Sequence, residues 1–324
     1  MIAKLPTAIF WVFSAALLGA LAGCTTREKP SFGAPAFYYW QTVFKLSDAQ
    51  RARLDSLHCQ RLYLKVLDLG ISPENGQPVP MALLETADSS GLEGRAVIPC
   101  VFITNEVFQR TDASLLPGLA DKIVGVTGTQ APEIQIDCDW TATTRERYFV
   151  FLKEIKKRLP ATCRLSVTIR LHQYKFPRQT GVPPADRGML MLYNTGDIDD
   201  PATRNSIFDP ADARKYIDGA RAGYPLPLDV ALPDFSWALV FRQGEFWKIL
   251  PDFDAGQLAD TAFFRAAGPD RWEVLRGTFR GGLYLRPGDL LRYESITPEL
   301  LEEAKRLAEQ LDLADDATLA YFHL

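Results

Sequence analysis

Residues 133–140 read EIQIDCDW, a run in which polar and apolar side chains alternate. Alternation with a period of two is typical of a β-strand, whose successive side chains point to opposite faces. The pattern predicts one apolar face with Ile134 and Ile136 and an opposite face with Asp137 and Asp139. We therefore predict a strand that is packed on one side and carries two carboxylates on the other.

Similar strand-like runs recur along the chain and alternate with helix-like runs, an order that predicts a parallel sheet. Seven such strands and an eighth near residue 324 predict an α/β fold, a (β/α)8 barrel of the TIM type. The predicted strands are residues 37–44, 61–69, 96–105, 133–140, 164–171, 189–194, 226–232 and 318–324. The predicted helices are residues 47–58, 112–124, 144–159, 210–222 and 299–311.

Two further segments do not follow this alternation. Residues 71–94 contain Pro and Gly and predict a long loop. Turn sequences predict hairpins at residues 238–250 and 282–293. We therefore predict a β-rich insertion at about residues 236–295, within one barrel domain of residues 36–324.

The start of the sequence predicts an export signal. Lys4 precedes an apolar run at residues 8–20, which is shorter than the roughly 18 to 20 residues of a membrane-spanning helix. The small residues of the run LAGC at 21–24 resemble a bacterial lipoprotein signal. The resemblance implies a signal peptide of residues 1–23, removed by cleavage, and lipidation of Cys24 by groups such as palmitate. An ordinary export signal beside a chance cysteine is the alternative.

Residues 24–35 are polar and contain Pro and Gly, so they predict a tether between the lipid and the barrel. We expect a protein anchored in the cell envelope that faces the periplasm or the exterior. An aspartate at position 25 would favour the inner membrane. The residue there is Thr25, so we expect the outer membrane.

Composition excludes several other classes of protein. The net charge is −4, from 36 Lys and Arg against 40 Asp and Glu, and no basic stripe supports nucleic-acid binding. With three histidines and no C-x-x-C pair, we expect no metal and no cofactor. We expect a monomer. Four cysteines follow the anchor: Cys59, Cys100, Cys138 and Cys163. They are either buried free thiols or form disulfides in one of three full pairings.

Strand alternation predicts that four charged side chains share the interior of the barrel. These are Lys65, Asp137, Asp139 and Arg170. Buried charges are costly unless they are paired. The cluster therefore predicts either a closed ion network or a site in which Asp137 and Asp139 are catalytic and Lys65 and Arg170 tune their charge. Active sites of this fold lie at the carboxyl ends of the strands, where Asp139 is predicted.

The segment 136–141, IDCDWT, resembles the fourth-strand motif D-x-x-D-x-D-x-E of chitinase-like, family-18 glycoside hydrolases. Asp137 and Asp139 match its second and third aspartates, whereas Ile134 replaces the first. In that family the Glu protonates the leaving oxygen, and the aspartate two residues earlier orients the acetamido group of the substrate. Thr141 stands at the Glu position and is not a useful proton donor near neutral pH, so the family mechanism cannot run unchanged.

Another carboxylate could supply the missing acid, at the separation of about 5 to 10 Å that a two-carboxylate mechanism needs. The candidates each follow a predicted strand: Asp68, Glu106, Asp197 and Asp234. The chain is also similar to a group of uncharacterised bacterial lipoproteins with a Q-I-D-x-D strand, here residues 135–139, and a later A-L-P-x-x-S-W segment, here residues 231–237. That similarity supports the barrel and implies no activity.

Aromatic residues cluster at the ends of predicted strands, where sugar rings could stack on them. Burial in the core is the alternative for each one. The candidate substrate-binding residues are Tyr39, Trp40, Trp140, Tyr193, Trp237, Tyr321 and His323.

These patterns predict a barrel, similar to glycoside hydrolases, that binds and in one interpretation hydrolyses a polysaccharide or glycan. A non-catalytic carbohydrate-binding lipoprotein is the second interpretation, and Thr141 favours it. A structural envelope lipoprotein is the third. It would use the insertion, which is rich in aromatic residues, as a contact surface, although most of those rings are expected to pack onto the barrel.

Overall fold

The computed structural model describes residues 32–218 and 223–324, so the predicted signal peptide and Cys24 lie outside the described residues. The first strands in chain order are β1 (Ala36–Tyr39), β2 (Val43–Phe44), β3 (Arg61–Ile71), β4 (Pro78–Leu83), β5 (Glu85–Thr86), β6 (Ala96–Ile103), β7 (Glu133–Asp137), β8 (Arg164–Arg170), β9 (Arg187–Met191) and β10 (Leu228–Pro233). They are followed by β11 (Ser236–Arg242), β12 (Glu245–Pro251), β13 (Phe264–Gly268), β14 (Arg271–Val274), β15 (Thr278–Arg280), β16 (Leu283–Leu285), β17 (Leu290–Ser295) and β18 (Leu319–Phe322).

Eight of these strands form a closed parallel barrel in the order β1, β3, β6, β7, β8, β9, β10 and β18. The last strand closes it, because β18 pairs with β10 on one side and with β1 on the other. Ala36 is the register partner of Ala320, and Phe37 is that of Tyr321. The predicted (β/α)8 barrel with a closing strand is confirmed.

Helices connect the barrel strands, and some of them begin at a capping side chain. Ser47 caps the first helix: its Oγ accepts from the Gln50 N–H at 3.2 Å, and the Gln50 side chain accepts from the Ser47 N–H at 2.9 Å. Thr297 caps the last helix, which starts with Pro298. The helices are α1 (Asp48–Ser56), α2 (Asn105–Arg110), α3 (Leu116–Thr127), α4 (Arg145–Arg158), α5 (Leu171–Lys175), α6 (Pro177–Thr180), α7 (Pro210–Ile217) and α8 (Pro298–Ala308), with 3-10 turns at Ala113–Leu115 and Ala255–Ala259.

Two predictions in the first part of the chain were wrong in detail. The predicted strand 37–44 is divided into β1 and β2, because the chain turns after Tyr39 and the Tyr39 hydroxyl donates to the Val43 carbonyl at 2.6 Å. The predicted loop 71–94 contains β4, which pairs antiparallel with the end of β3 and lies outside the closed barrel.

The insertion between β10 and α8 forms an antiparallel sheet in the order β12, β11, β17, β14 and β13. The predicted hairpin at 238–250 is confirmed as β11 and β12. The predicted hairpin at 282–293 was wrong. Gly281 and Gly282 have positive φ and form the turn between β15 and β16, whereas the turn at Pro287 leads into β17, which pairs with β11 and β14.

The aromatic residues of the insertion mainly build its own core. Phe253 and Phe264 are buried there, and Trp247, Phe263 and Trp272 pack against the same cluster. The expectation that most of these rings pack onto the barrel was therefore wrong, because the insertion sheet has its own apolar face to cover.

Strand alternation separates two layers of the barrel, as predicted. Leu165, Val167 and Ile169 are buried in the large cluster that lies between the strands and the helices. A second cluster fills the interior and contains Ala36, Tyr38, Tyr63, Ile98, Cys100, Met189, Met191, Tyr193, Ala231 and Ala320. The interior is thus a packed core, as is usual for this fold.

A buried ionic layer lies at the amino ends of the strands. Asp229 is 2.9 Å from Arg187 Nε and accepts from the Thr318 N–H at 2.6 Å. Arg187 also donates to both carboxylate oxygens of Asp316, at 3.1 and 2.6 Å. Burial raises the pKa of Asp229 to about 6, although the charge of Arg187 acts in the opposite direction.

We predict that Asp229 makes the folded protein less stable as the pH rises from 4 to 6. A carboxyl whose pKa is raised by folding stabilises the fold below its unfolded pKa of about 4, and this contribution is lost as the pH passes the folded value. In Asp229→Asn, denaturant unfolding at several pH values should show stability rising relative to the unsubstituted protein by about 2 kcal/mol between pH 4 and 7.

Asp316 is the matched control, because it binds the same arginine and Arg187 lowers its pKa. Asp316→Asn should therefore give the opposite slope, with relative stability falling as the pH rises through the acid range. Equal slopes for the two variants would contradict the assignment.

The four cysteines after Cys24 are buried free thiols and form no disulfide with one another: Cys59, Cys100, Cys138 and Cys163. Among the described residues, no helix combines the length and the apolar character that crossing a membrane requires.

Candidate functional site at the barrel mouth

The carboxyl end of β7 carries the first of the two predicted aspartates. Asp137 is buried and accepts from the Thr168 hydroxyl at 2.6 Å, and Arg170 Nη2 lies 4.0 Å from the same carboxylate oxygen. Burial raises the pKa of Asp137 above its usual range, while the charge of Arg170 opposes the shift. Alternation along β7 and β8 therefore brings these side chains together inside the barrel, as predicted.

Asp139 lies two residues further, at the rim, and accepts from the Nε of Arg170. Its side chain is 56% exposed, whereas that of Arg170 is 21% exposed. The pair lies in an open cavity of about 350 Å³ at the carboxyl ends of β7, β8 and β9. The cavity is lined by Asp139, Trp140, Thr141, Arg170, Leu171, His172, Tyr193, Asn194 and Tyr216.

Thr141 lines this cavity at the position that the family motif gives to the acid. Its N–H donates to Thr144 Oγ1 at 2.9 Å, and its hydroxyl is 2.9 Å from Thr143 Oγ1. These contacts belong to the turn that begins α4. The position therefore presents a hydroxyl, which is not an effective proton donor.

Two of the side chains that line the cavity have pKa values shifted by burial. Burial lowers the pKa of His172, so its imidazole is neutral at pH 7. Burial also raises the pKa of Tyr193 well above its usual range, and its hydroxyl donates to Met191 Sδ at 3.1 Å. Neither His172 nor Tyr193 thus adds a charge at pH 7 to the pair of Asp139 and Arg170.

Lys65 points into the interior as predicted, but it pairs with a different carboxylate. Its Nζ is 2.8 Å from Asp68 Oδ2 and lies 5.5 Å from the ring centre of Trp40. The negative charge of Asp68 contributes to the raised pKa of Asp137, so Asp68 belongs to the same interior. It does not line the cavity that contains Asp139.

The other three candidate acids also lie away from this cavity. Glu106 is exposed on α2 and forms an ion pair with Arg110 at 2.8 Å. Asp197 caps an exposed turn by accepting from the Asp199 N–H at 2.9 Å. Asp234 is paired with Arg53 and lines a second cavity.

Three of the predicted sugar-binding aromatics are buried on the helix-facing side of the barrel. Tyr39, Trp140 and Tyr321 are 1%, 2% and 7% exposed. Trp140 stacks on Tyr148 with ring centres 5.2 Å apart, and Tyr321 lies 5.2 Å from Phe37. Their rings pack against neighbouring side chains. Of the three, only Trp140 is also part of the lining of the cavity that contains Asp139.

The remaining predicted aromatics lie nearer the mouth. Tyr193 lines the cavity of Asp139, and Trp40 packs edge-on against Phe322 with ring centres 5.3 Å apart. Trp237 donates its indole N–H to Glu294 at 2.7 Å, at the start of the insertion. Only the first of these three is thus part of the cavity wall.

His323 lies in the second cavity, of about 590 Å³, between the mouth and the insertion. Its Nε2 is 3.3 Å from Asp252, and its ring stacks on Phe235 at 6.2 Å. Burial lowers the pKa of His323, but the pairing with Asp252 outweighs this and raises it.

Sequence reasoning missed Tyr216, Asn194 and Leu171, which also line the cavity of Asp139. Asn194 lies three residues after the end of β9 and directly follows Tyr193, so its position after a strand was an available signal. Tyr216 lies on α7 and reaches the cavity through tertiary packing alone. Within residues 32–218 and 223–324, no group of three or more His, Cys, Asp or Glu side chains could hold a metal ion.

Comparison with solved structures shows other proteins with a similar fold. The Bacillus cereus spore cortex-lytic enzyme SleL is similar over 91% of this chain and 71% of its own, with 16% identity and a TM-score of 0.54. A chitinase from Bacteroides thetaiotaomicron is similar over 90% of each chain, with 11% identity and a TM-score of 0.52. A class V chitinase from Pseudomonas fluorescens Pf-5 is similar over 89% and 94%, with 12% identity and a TM-score of 0.51.

At these identities the comparison establishes the fold alone: a TIM-type barrel like that of chitinases and a spore-lytic enzyme. No protein-family model matches the chain, and no curated protein sequence matches it. The comparison thus defines the fold as a TIM-type barrel, and the activity has to be argued from the site.

We predict that Arg170→Gln raises the pKa of Asp137 further, because the guanidinium is the charge that opposes the effect of burial. Titration of the Asp137 carboxyl carbon by NMR, assigned with Asp137→Asn, would measure the change. Arg170→Lys keeps the positive charge and should shift the pKa less. An unchanged Asp137 titration in Arg170→Gln would show that the two side chains are not coupled.

Proposed function

We propose that this protein is an envelope-anchored lipoprotein whose barrel binds a carbohydrate chain at its mouth and does not hydrolyse it. One observation carries the proposal. An open cavity at the carboxyl ends of β7, β8 and β9 presents an aspartate–arginine pair beside Thr141, where the family motif has its acid.

The described residues of the cavity wall include no second carboxyl group that could act as the acid, which argues against hydrolysis. Asp139 is the one carboxylate among the described residues that line the cavity, and Arg170 binds it. His172 is neutral at pH 7 because burial lowers its pKa. Glycoside hydrolysis by the usual route needs a second carboxyl group that acts as the acid.

The same wall suits a neutral polyhydroxyl ligand. Asp139 supplies acceptors and Arg170 supplies donors, which together match the paired hydroxyls of a sugar ring. Asn194 is exposed and adds an amide that can donate and accept, while Tyr216 adds an aromatic ring. The volume of about 350 Å³ lies at the lower end of the range of about 300 to 1,000 Å³ that is typical of ligand sites.

We predict that Asp139→Asn weakens glycan binding by about tenfold or more, because it removes a charged acceptor from the ligand and from Arg170. Since chitinases share the fold and the proposed location is the envelope, titration calorimetry would use tetra-N-acetylchitotetraose and peptidoglycan glycan strands.

Asp121→Asn is the matched control, because Asp121 is 65% exposed and pairs with Arg158, which is 21% exposed like Arg170. This second pair joins α3 to α4, away from the mouth. An equal loss of affinity in both variants, or no loss in Asp139→Asn, would contradict the proposed site. Release of new reducing ends from either glycan by the unsubstituted protein would overturn the non-hydrolytic part of the proposal.

The envelope anchor has its own test, which does not depend on the barrel. Cells given labelled palmitate should transfer the label to the protein, and Cys24→Ala should abolish the transfer because the acceptor thiol is gone. Cys59→Ala is the control, because Cys59 is a free and buried thiol in the barrel. Equal labelling of all three proteins would exclude Cys24 as the lipid site.

A further inference from the structure

A buried ion pair lies where the insertion meets the barrel. Arg292 and Glu294 both lie on β17, and their side chains are 1% and 0% exposed. Arg292 Nε donates to Glu294 Oε1 at 2.7 Å. A pair buried this completely is favourable only when its remaining polar atoms are also satisfied. Their other partners therefore show what the pair holds together.

Glu294 binds the loop of residues 192–209, which joins β9 to α7. Its Oε2 accepts from the Ser206 N–H at 2.9 Å and from the Ser206 hydroxyl at 2.7 Å. The Trp237 indole donates to the same oxygen at 2.7 Å. Four hydrogen bonds thus converge on one buried carboxylate, and two of them come from the 192–209 loop.

Arg292 binds the same loop at a second place. Its Nη1 donates to the Asp200 carbonyl at 2.6 Å, and its Nη2 donates to the Ile198 carbonyl at 3.3 Å. These are charge-assisted bonds to backbone, so they fix the path of the chain rather than one side chain.

Hydrogen bonds within the 192–209 loop connect the part that Glu294 holds to the part that lines the cavity. The Gly196 N–H donates to the Ser206 carbonyl at 3.3 Å, and the Asn194 N–H donates to the Ile207 carbonyl at 2.7 Å. The half of the loop that Glu294 holds is therefore hydrogen-bonded to the half that leaves β9. Asn194 and its neighbour Tyr193 form one wall of the cavity that contains Asp139.

We infer that Arg292 and Glu294 are positioning residues for the carbohydrate site, which they never touch: through the 192–209 loop the insertion sets the place of Tyr193 and Asn194. The inference rests on the proposed function for its ligand, but the order of the loop can be measured without one. The insertion is then part of the binding apparatus.

The substitution Glu294→Gln tests the clamp, by which we mean the hydrogen bonds from Arg292 and Glu294 to the 192–209 loop. Glutamine keeps the size of the side chain but has one acceptor oxygen where the carboxylate has two, so buried donors lose their partner. Hydrogen exchange followed by NMR should show the Asn194 amide exchanging about tenfold faster or more, because local opening of the loop costs less. Affinity for tetra-N-acetylchitotetraose or for peptidoglycan glycan strands should fall by about tenfold.

Asp289→Asn is the matched control within the same insertion. Asp289 is buried and accepts from Arg242 Nε at 2.9 Å and Nη2 at 2.7 Å, with no hydrogen bond to the 192–209 loop. It should leave the exchange of the Asn194 amide and the affinity unchanged. Equal effects of Asp289→Asn and Glu294→Gln would overturn the inference, since the insertion would then act only through its general stability.

The outcomes separate the clamp from the proposed function. Unchanged exchange of the Asn194 amide in Glu294→Gln overturns the clamp, as does faster exchange with unaltered glycan affinity. If the unsubstituted protein binds neither glycan, the proposed function fails, and the amide exchange still decides whether the insertion orders the cavity wall. Should Glu294→Gln not fold, Ser206→Ala removes one 2.7 Å bond from the loop side and should give a smaller change in the same direction.

Discussion

The pairing of β18 with β1 is the constraint on which the rest of the architecture depends. A parallel sheet with two open edges would expose unpaired backbone groups, and closure removes both edges. Because all eight strands run in one direction, their carboxyl ends meet at a single rim. That rim collects Asp139, Arg170 and Tyr193 from three neighbouring strand ends, although they are far apart in the chain.

The sequence predicted the barrel well because its strands obey simple rules. Short apolar runs alternate with helices, and caps such as Ser47 and Thr297 mark where helices begin. The failures have a physical cause. β4 contains two prolines and lies outside the barrel, so its run lacks the usual strand pattern. In the insertion, the sheet pairs strands that are distant in sequence, and turn residues do not report such partners.

For the site, alternation was sufficient to place Asp137, Asp139 and Arg170 on one face, and the structure brings them together. The same rule, applied to the aromatics, would have put Trp140 on the side of Cys138, where it is buried against helices. Nearness to a strand end does not by itself tell which face of the barrel a side chain occupies, because that depends on its place in the alternation. Tyr216 could not be found from sequence, because its place in the cavity depends on how α7 packs.

The position of Ala36 shows at which rim the chain enters the barrel. Since β1 enters the barrel at Ala36, the preceding chain reaches it at the rim opposite the cavity of Asp139. The place where the chain enters the barrel and the cavity of Asp139 thus lie at opposite rims. A ligand that occupies the cavity would therefore leave the residues at the entry of β1 uncovered.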